Sequence, residues 1–168
     1  MSQMNASYYI DNLKLQPHPE GGFYREIYRS SERIAAGALP SRFTGDRNFS
    51  TSIYYLLQQG EHSAFHRIKS DEGWHFYAGG ALWVHMIDKE GNYKCQKLGH
   101  HLEDGEVFQF VVPATVWFAS EPAPGTSFIL GGCTVSPGFD FADFEMADKK
   151  TLLQSFPQHK EIIERLCK

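Results

Sequence analysis

From Ser50 to Val135 the chain is a succession of short segments in which β-branched and aromatic residues alternate with polar ones. The segments are "STSIYYLL", "HSAFHRI", "GWHFYAG", "ALWVHMI", "YKCQKLG", "VFQFVVP", "TVWFAS" and "SFILGGCTV", each bounded by Gly, Pro, Asp or Asn. Alternation with period two predicts strands, and "DKEGN" between two of them predicts a hairpin turn. No helical periodicity intervenes, which excludes a parallel α/β sheet, and about eight short strands at this spacing predict a β-sandwich or barrel. Upstream, the turn "HPEGG" leads into another strand, "FYREIYRS", and "SSERIAAGALPSRFTGDRN" lacks periodicity and is expected as a surface loop. The ends read as helices, one over residues 5–15 stopped by Pro17 and one over residues 149–167. In the second, Ile162, Ile163 and Leu166 form one apolar stripe, expected to cover the barrel exterior.

Composition narrows this picture. At 168 residues and 42% hydrophobic the chain suits one domain, 1–168, with a barrel core over 20–147. A net charge of −4 argues against nucleic acid or an anionic membrane as the main partner. Cys95, Cys133 and Cys167 are odd in number and widely spaced, so neither a disulfide framework nor a zinc knot is expected. The N-terminal residues lack a basic segment followed by an apolar run, and no stretch reaches about 20 apolar residues, so a cytoplasmic setting is expected.

The chemistry concentrates in "GEHSAFHRIKSDEGWHFYAGG", Gly60 to Gly80. Gly60, His66, Glu72 and Gly79 fall at the spacing G-x5-H-x-H-x3-E-x6-G, with Ile68 in place of the second His. A second pattern, G-x5-P-x-G-x2-H-x3-N, is degraded: Pro113 follows Gly105 two residues late, Thr115 replaces a Gly and Phe118 replaces a His. These patterns resemble the two motifs of the cupin superfamily. With "HPEGGFYREIYRS", "LGHHL", "FQFVVPATVWFAS" and "LGGCTVSPGFDFADFEMA", in that order, the chain is identified as a member of its DUF985 (Cupin_5) family of RmlC-like cupins. The resemblance implies an all-β double-stranded β-helix, a jelly-roll cupin barrel with short terminal helices. It supplies a pocket, but no settled reaction.

In such a barrel every second side chain points inward. His66 and Ile68 share parity, and Glu72 opens the partner strand, which would bring His66 and Glu72 together in the barrel mouth. Trp74 and Phe76 share the face of Glu72 and are expected to line the cavity, with Gln109, Trp117, Phe118 and Tyr24. A cupin metal site takes three histidines and a glutamate; here only His66 and Glu72 remain, with His62 as a substitute of equal parity. Two ligands rarely hold a divalent ion, so no cofactor is expected, and a divalent metal is the alternative.

Without metal, His66 oriented by Glu72 can act as a general base, with a tyrosine, Tyr55 among four candidates, as the acid. Metal-free relatives of this kind include sugar-nucleotide 3,5-epimerases. Three readings follow: a metal-independent isomerase or epimerase acting on a small polar, carbohydrate-derived metabolite; a non-catalytic binder of such a ligand; and a metal-dependent oxygenase or isomerase. The resemblance also implies that "HPEGGFYREIYRS" joins a neighbouring subunit in a homodimer, where Tyr24, Arg25, Glu20 or Arg29 could reach the partner's pocket.

Overall fold

The computed structural model describes residues 4–168. Fourteen strands are assigned among them: β1 Gln16–Pro17, β2 Phe23–Arg29, β3 Arg33–Ile34, β4 Arg47–Asn48, β5 Thr51–Gln58, β6 Ser63–Arg67, β7 Asp71–Gly79, β8 Leu82–Ile87, β9 Tyr93–Leu98, β10 Glu106–Val107, β11 Gln109–Val112, β12 Trp117–Pro122, β13 Phe128–Ser136 and β14 Glu145–Met146. They form two six-stranded sheets, ordered β1-β2-β5-β13-β7-β11 and β10-β9-β8-β12-β6-β14, and a separate β3–β4 ribbon. All pairings in the two large sheets are antiparallel except β9 with β10. This is a double-stranded β-helix, the jelly roll implied by the family resemblance and one form of the sandwich or barrel expected from the strand pattern.

Between the sheets lies an apolar core containing Tyr55, Leu57, Trp74, Val84, Phe118 and Ile129. Their inward alternation removes them from water, each large side chain contributing about 1.5–3 kcal/mol of transfer free energy. The short helix α1, Ala6–Leu13, is capped by the Asn5 side chain accepting from the Tyr8 N–H. It closes a second apolar cluster with Leu56, Phe128 and Leu130.

The long C-terminal helix expected over 149–167 is instead two helices, α2 Lys149–Ser155 and α3 Lys160–Leu166, separated by a 3-10 turn at Pro157–His159. Proline has no N–H for the helix ladder, and Phe156 before it leaves helical geometry at φ −135°, ψ 61°. The predicted stripe holds: Ile163 and Leu166 are buried against Phe65, Ile87 and Ala119 on the outer face of the second sheet. The expected surface loop between "FYREIYRS" and "STSIYYLL" also carries order, in the β3–β4 ribbon and a 3-10 turn at Ala36–Ala38.

Thr115, where the degraded motif has lost its glycine, adopts a left-handed φ of 69°. Its N–H donates to the Ile68 carbonyl at 2.8 Å, so the turn keeps its shape despite an unfavourable residue.

The segment Phe139–Phe144 covers one end of the barrel and is anchored by a buried ion pair. Arg47 Nε and Nη2 donate to the two carboxylate oxygens of Asp143, both at 2.6 Å, and Lys69 Nζ lies 3.6 Å from the same carboxylate. A buried pair of this kind is strongly destabilised when one partner is removed. Asp143→Ala should therefore lower stability by about 3–5 kcal/mol, read as a shift of the denaturant midpoint at unchanged slope.

Candidate functional site

A cavity of about 480 Å³ opens at the barrel end beneath Phe139–Phe144. Its inner wall carries His18, Glu20, Tyr24, His66, Ile68, Glu72 and Cys133. His66 arrives on β6 and Glu72 on β7. Glu20 arrives from the turn "HPEGG", which folds back into the barrel.

That turn depends on its two glycines. Gly21 has φ 125°, and a Cβ on it would lie 2.1 Å from the His62 carbonyl oxygen; one on Gly22 would lie 2.6 Å from that of Leu56. No other residue allows this approach of the turn to β5 and β6. The Tyr55 hydroxyl fastens it by donating to the Gly21 carbonyl at 2.7 Å. Tyr55 is buried, outside the cavity lining, with burial raising its pKa well above the ordinary value. Expected as the acid, it is a clamp on the turn that carries Glu20.

The buried His66 finds its carboxylate in Glu20, not Glu72. His66 Nε2 lies 3.2 Å from Glu20 Oε2, and its Nδ1 lies 2.8 Å from the Ala64 carbonyl oxygen. A carbonyl only accepts, so Nδ1 carries a hydrogen, and Nε2 faces the Glu20 carboxyl. Both ring nitrogens are thereby engaged. The other Glu20 oxygen, Oε1, is 3.7 Å from His18 Nδ1, which accepts the Glu20 N–H at 3.3 Å. Burial, the largest influence, lowers the His18 pKa, so this imidazole is neutral at pH 7.

Glu72 stands apart from this dyad within the same cavity. Burial pushes its pKa up to about 8, and the nearby Glu20 charge adds to the rise; a hydrogen bond with Cys133 opposes it. At neutral pH Glu72 is therefore a carboxylic acid that carries a proton.

The other expected lining residues divide. Tyr24 and Ile68 line the cavity, with the Tyr24 ring edge-on to His18 at 4.5 Å. Trp74 and Phe118 lie deeper, each about 1% exposed, in the core between the sheets. Phe118 supports His66 from below at 4.1 Å between ring centres. Phe76 packs on the same core and on His100, away from the cavity. Gln109 is exposed on the edge strand β11, and Trp117 packs outside the barrel with Arg67 over its ring at 4.3 Å. Parity along a strand selects a face; depth along that face decides whether a residue meets the cavity or the core.

A divalent metal on His66, Glu72 and His62 does not fit this arrangement. β6 pairs Phe118 with His66 and Ser120 with Ser63, so three steps on β6 oppose two on β12. This bulge reverses the parity before it, and His62 does not line the cavity. Its charged neighbours are Glu121, Lys168 and Arg165, and its Nε2 is buried with no hydrogen-bond partner. Ile68 and Phe118 offer no donor atoms, and His66 Nε2 is taken by Glu20. Among the described residues, three metal-donor atoms come within 4.8 Å of one another at His101, Glu103 and Asp104, an exposed group on the turn after β9. It shares no residue with the cavity.

Glu20, His18, Cys133 and the Phe139–Phe144 segment complete a site that the strand pattern alone did not assemble. The available signal was a charged residue inside a double-glycine turn.

The raised Glu72 pKa has a consequence for stability. A carboxyl whose folded pKa exceeds its unfolded value favours the fold below the unfolded pKa, and that advantage is lost as pH rises through about 8. Relative to Glu72→Gln, the wild-type melting temperature should therefore fall between pH 5 and pH 8.5, as followed by thermal scans of both proteins.

Comparison with known proteins agrees with this architecture. The model of the family described as Cupin superfamily (DUF985) matches residues 7–147. An uncharacterized protein of Saccharomyces cerevisiae is 33% identical over 147 residues, covering 80% of this chain and 71% of that protein. A solved structure from Shewanella oneidensis is 43% identical, with a TM-score of 0.88 and 99% of each chain covered. A hypothetical protein from Leishmania major is 34% identical, with a TM-score of 0.87 over 97% of this chain and 98% of that one. Oxalate decarboxylase of Bacillus subtilis, a protein with Mn(II) centres, shares the fold at 18% identity and a TM-score of 0.54, covering 89% of this chain and 36% of its own. The chain belongs to the DUF985 (Cupin_5) family of the cupin superfamily.

Proposed function

We propose that the cavity catalyses proton transfer on a small polar metabolite, as an isomerase or epimerase does, without a metal ion. The supporting observation is the pairing of unlike acids in one cavity: a Glu20 carboxylate held by His66, and a Glu72 carboxyl kept neutral by burial. Two carboxyl groups in one cavity, one of them kept neutral by burial, can divide acid and base roles at one pH.

Glu20 is the base of this scheme. Its carboxylate accepts a proton from a carbon next to a carbonyl group, and the His66 imidazole at 3.2 Å positions it. Glu72 donates a hydrogen bond to the oxygen on which negative charge develops. His66, expected as the base, becomes the group that positions it, since neither ring nitrogen is free. The sugar-derived ligand expected from the family resemblance belongs to this class of carbonyl compounds.

Hydrogen exchange tests the proposal directly. Ketoses and aldoses incubated with the protein in D₂O should exchange the hydrogen next to their carbonyl, seen by NMR. Glu20→Gln should reduce the rate by at least about 100-fold, within the range expected for an acid–base group. The wild-type rate should fall as pH rises through about 8, where Glu72 loses its proton, and Glu72→Gln should remove that decline. Absence of exchange with saturable binding of the same sugars would leave a binding protein in place of an enzyme.

A homodimer is the proposed assembly. β1 covers β2 only at Phe23 and Tyr24, leaving the edge at Arg25–Arg29 unpaired among the described residues, with Ile27 and Tyr28 exposed. An open edge of this kind accepts a second strand. Tyr24, Glu20 and Arg29 line the cavity of their own chain, so the site does not need strand exchange. Light scattering should give twice the chain mass for the wild type, and the chain mass for Ile27→Glu.

A further inference from the structure

The cavity also has a charge pattern, and it restricts what can enter. The following inference rests on the proposed function for the position of the ligand, and concerns its chemical class.

Four carboxyl groups line the cavity: Glu20, Glu26, Glu72 and Asp140. Among the described residues Arg29 is the one arginine or lysine in that lining, and its charge is already matched. Its Nε donates to Glu26 Oε1 at 3.0 Å and its Nη2 to Glu26 Oε2 at 2.7 Å, a bidentate pair. Its Nη1 donates to Asn48 Oδ1 and to the Phe139 carbonyl, both at 3.0 Å. Four of the five N–H groups of a guanidinium are thus committed to the protein. Lys168 lies near His18, but its ammonium donates to the Pro19 carbonyl and it does not line the cavity. A phosphate or carboxylate entering here would meet the Glu20 and Asp140 carboxylates with no uncommitted arginine or lysine among the described lining residues to offset them.

Part of the lining is aromatic. Phe139, Phe141 and Phe144 form an edge-to-face triplet with ring centres 5.0–6.3 Å apart. Phe144 continues this wall to His66, with ring centres 5.3 Å apart and planes tilted by 31°. Carboxylates accept hydrogen bonds from hydroxyl groups, and phenyl rings receive the apolar C–H faces of a sugar or polyol.

We infer that the cavity takes an uncharged polyhydroxylated metabolite, a free sugar or polyol, and discriminates against its phosphorylated or nucleotide-linked forms. The discrimination is electrostatic and lies partly in Glu26, which cancels the one arginine that would otherwise receive an anion.

Calorimetric titration of the full chain tests this with three sets of probes: free glucose, fructose and arabinose; their terminal phosphates; and glucosamine. At least one free sugar should give saturable binding, with its phosphate bound about tenfold or more weakly. In Glu26→Gln, which leaves Arg29 without its counter-charge, the gap between free and phosphorylated forms should narrow by at least about threefold. Equal or tighter binding of the phosphates overturns the inference. So does saturable binding of glucosamine alone, which would make the cavity a site for an organic cation, and so does the absence of binding by every free sugar. Repeating the titrations with Glu20→Gln separates the two proposals. Retained preference for free sugars with lost proton exchange supports the ligand class and the reaction together. Retained preference in a wild type that exchanges nothing rejects the reaction alone.

Discussion

A buried carboxylate is stable only when something compensates its charge, and the interior of this barrel is organised around that requirement. Glu20 is folded into the cavity by the Gly21–Gly22 turn and compensated by His66 at 3.2 Å. His66 is held in turn by the Ala64 carbonyl and the Phe118 ring, and Tyr55 clamps the turn from the core side. His66, which the cupin motif offers to a metal ion, is here engaged by the Glu20 carboxyl. Burial is the main cause of the raised Glu72 pKa, and the nearby Glu20 charge adds to it, so the two acidic groups of the cavity are electrostatically coupled.

The periphery follows a similar economy of charge. Arg47 is matched by Asp143 and Arg29 by Glu26, the first buried and the second at the mouth. Both arginines also hold the Phe139–Phe144 segment, Arg47 through Asp143 and Arg29 through the Phe139 carbonyl. The aromatic wall of the cavity is therefore fixed by ion pairs that leave little positive charge for a ligand. That distribution of charge is what the proposed preference for an uncharged, hydroxyl-bearing ligand rests on. The likeness to Bacillus subtilis oxalate decarboxylase, at 18% identity, is a likeness of the barrel fold.

Much of the fold was legible because it depends on local alternation. The strand from Thr51 to Gln58, the hairpin around "DKEGN" and the apolar stripe of Ile162, Ile163 and Leu166 all follow from period and turn chemistry. Within the site, His66, Glu72, Ile68 and Tyr24 fall on the cavity wall. The errors have identifiable causes. A single extra residue in β6 inverted the facing of His62. Trp74 and Phe118 share the inward face but sit at core depth, and Gln109 lies on an edge strand where inward and outward are less constrained.

Residue type and spacing were enough for a β-sandwich or barrel of short strands, and, through the resemblance to the cupin motifs, for Ile68 and Phe118 at positions where those motifs place histidines and for a histidine and a glutamate near the barrel mouth. These depend on residue type and on spacing along one or two adjacent strands. The tertiary structure decided which carboxylate meets His66, because Glu20 approaches from 46 positions away in sequence through a turn whose path only close backbone contacts define. It also decided the protonation of Glu72 and the neutralisation of Arg29, since burial and ion pairing are properties of assembled surfaces and leave no periodic trace in the chain.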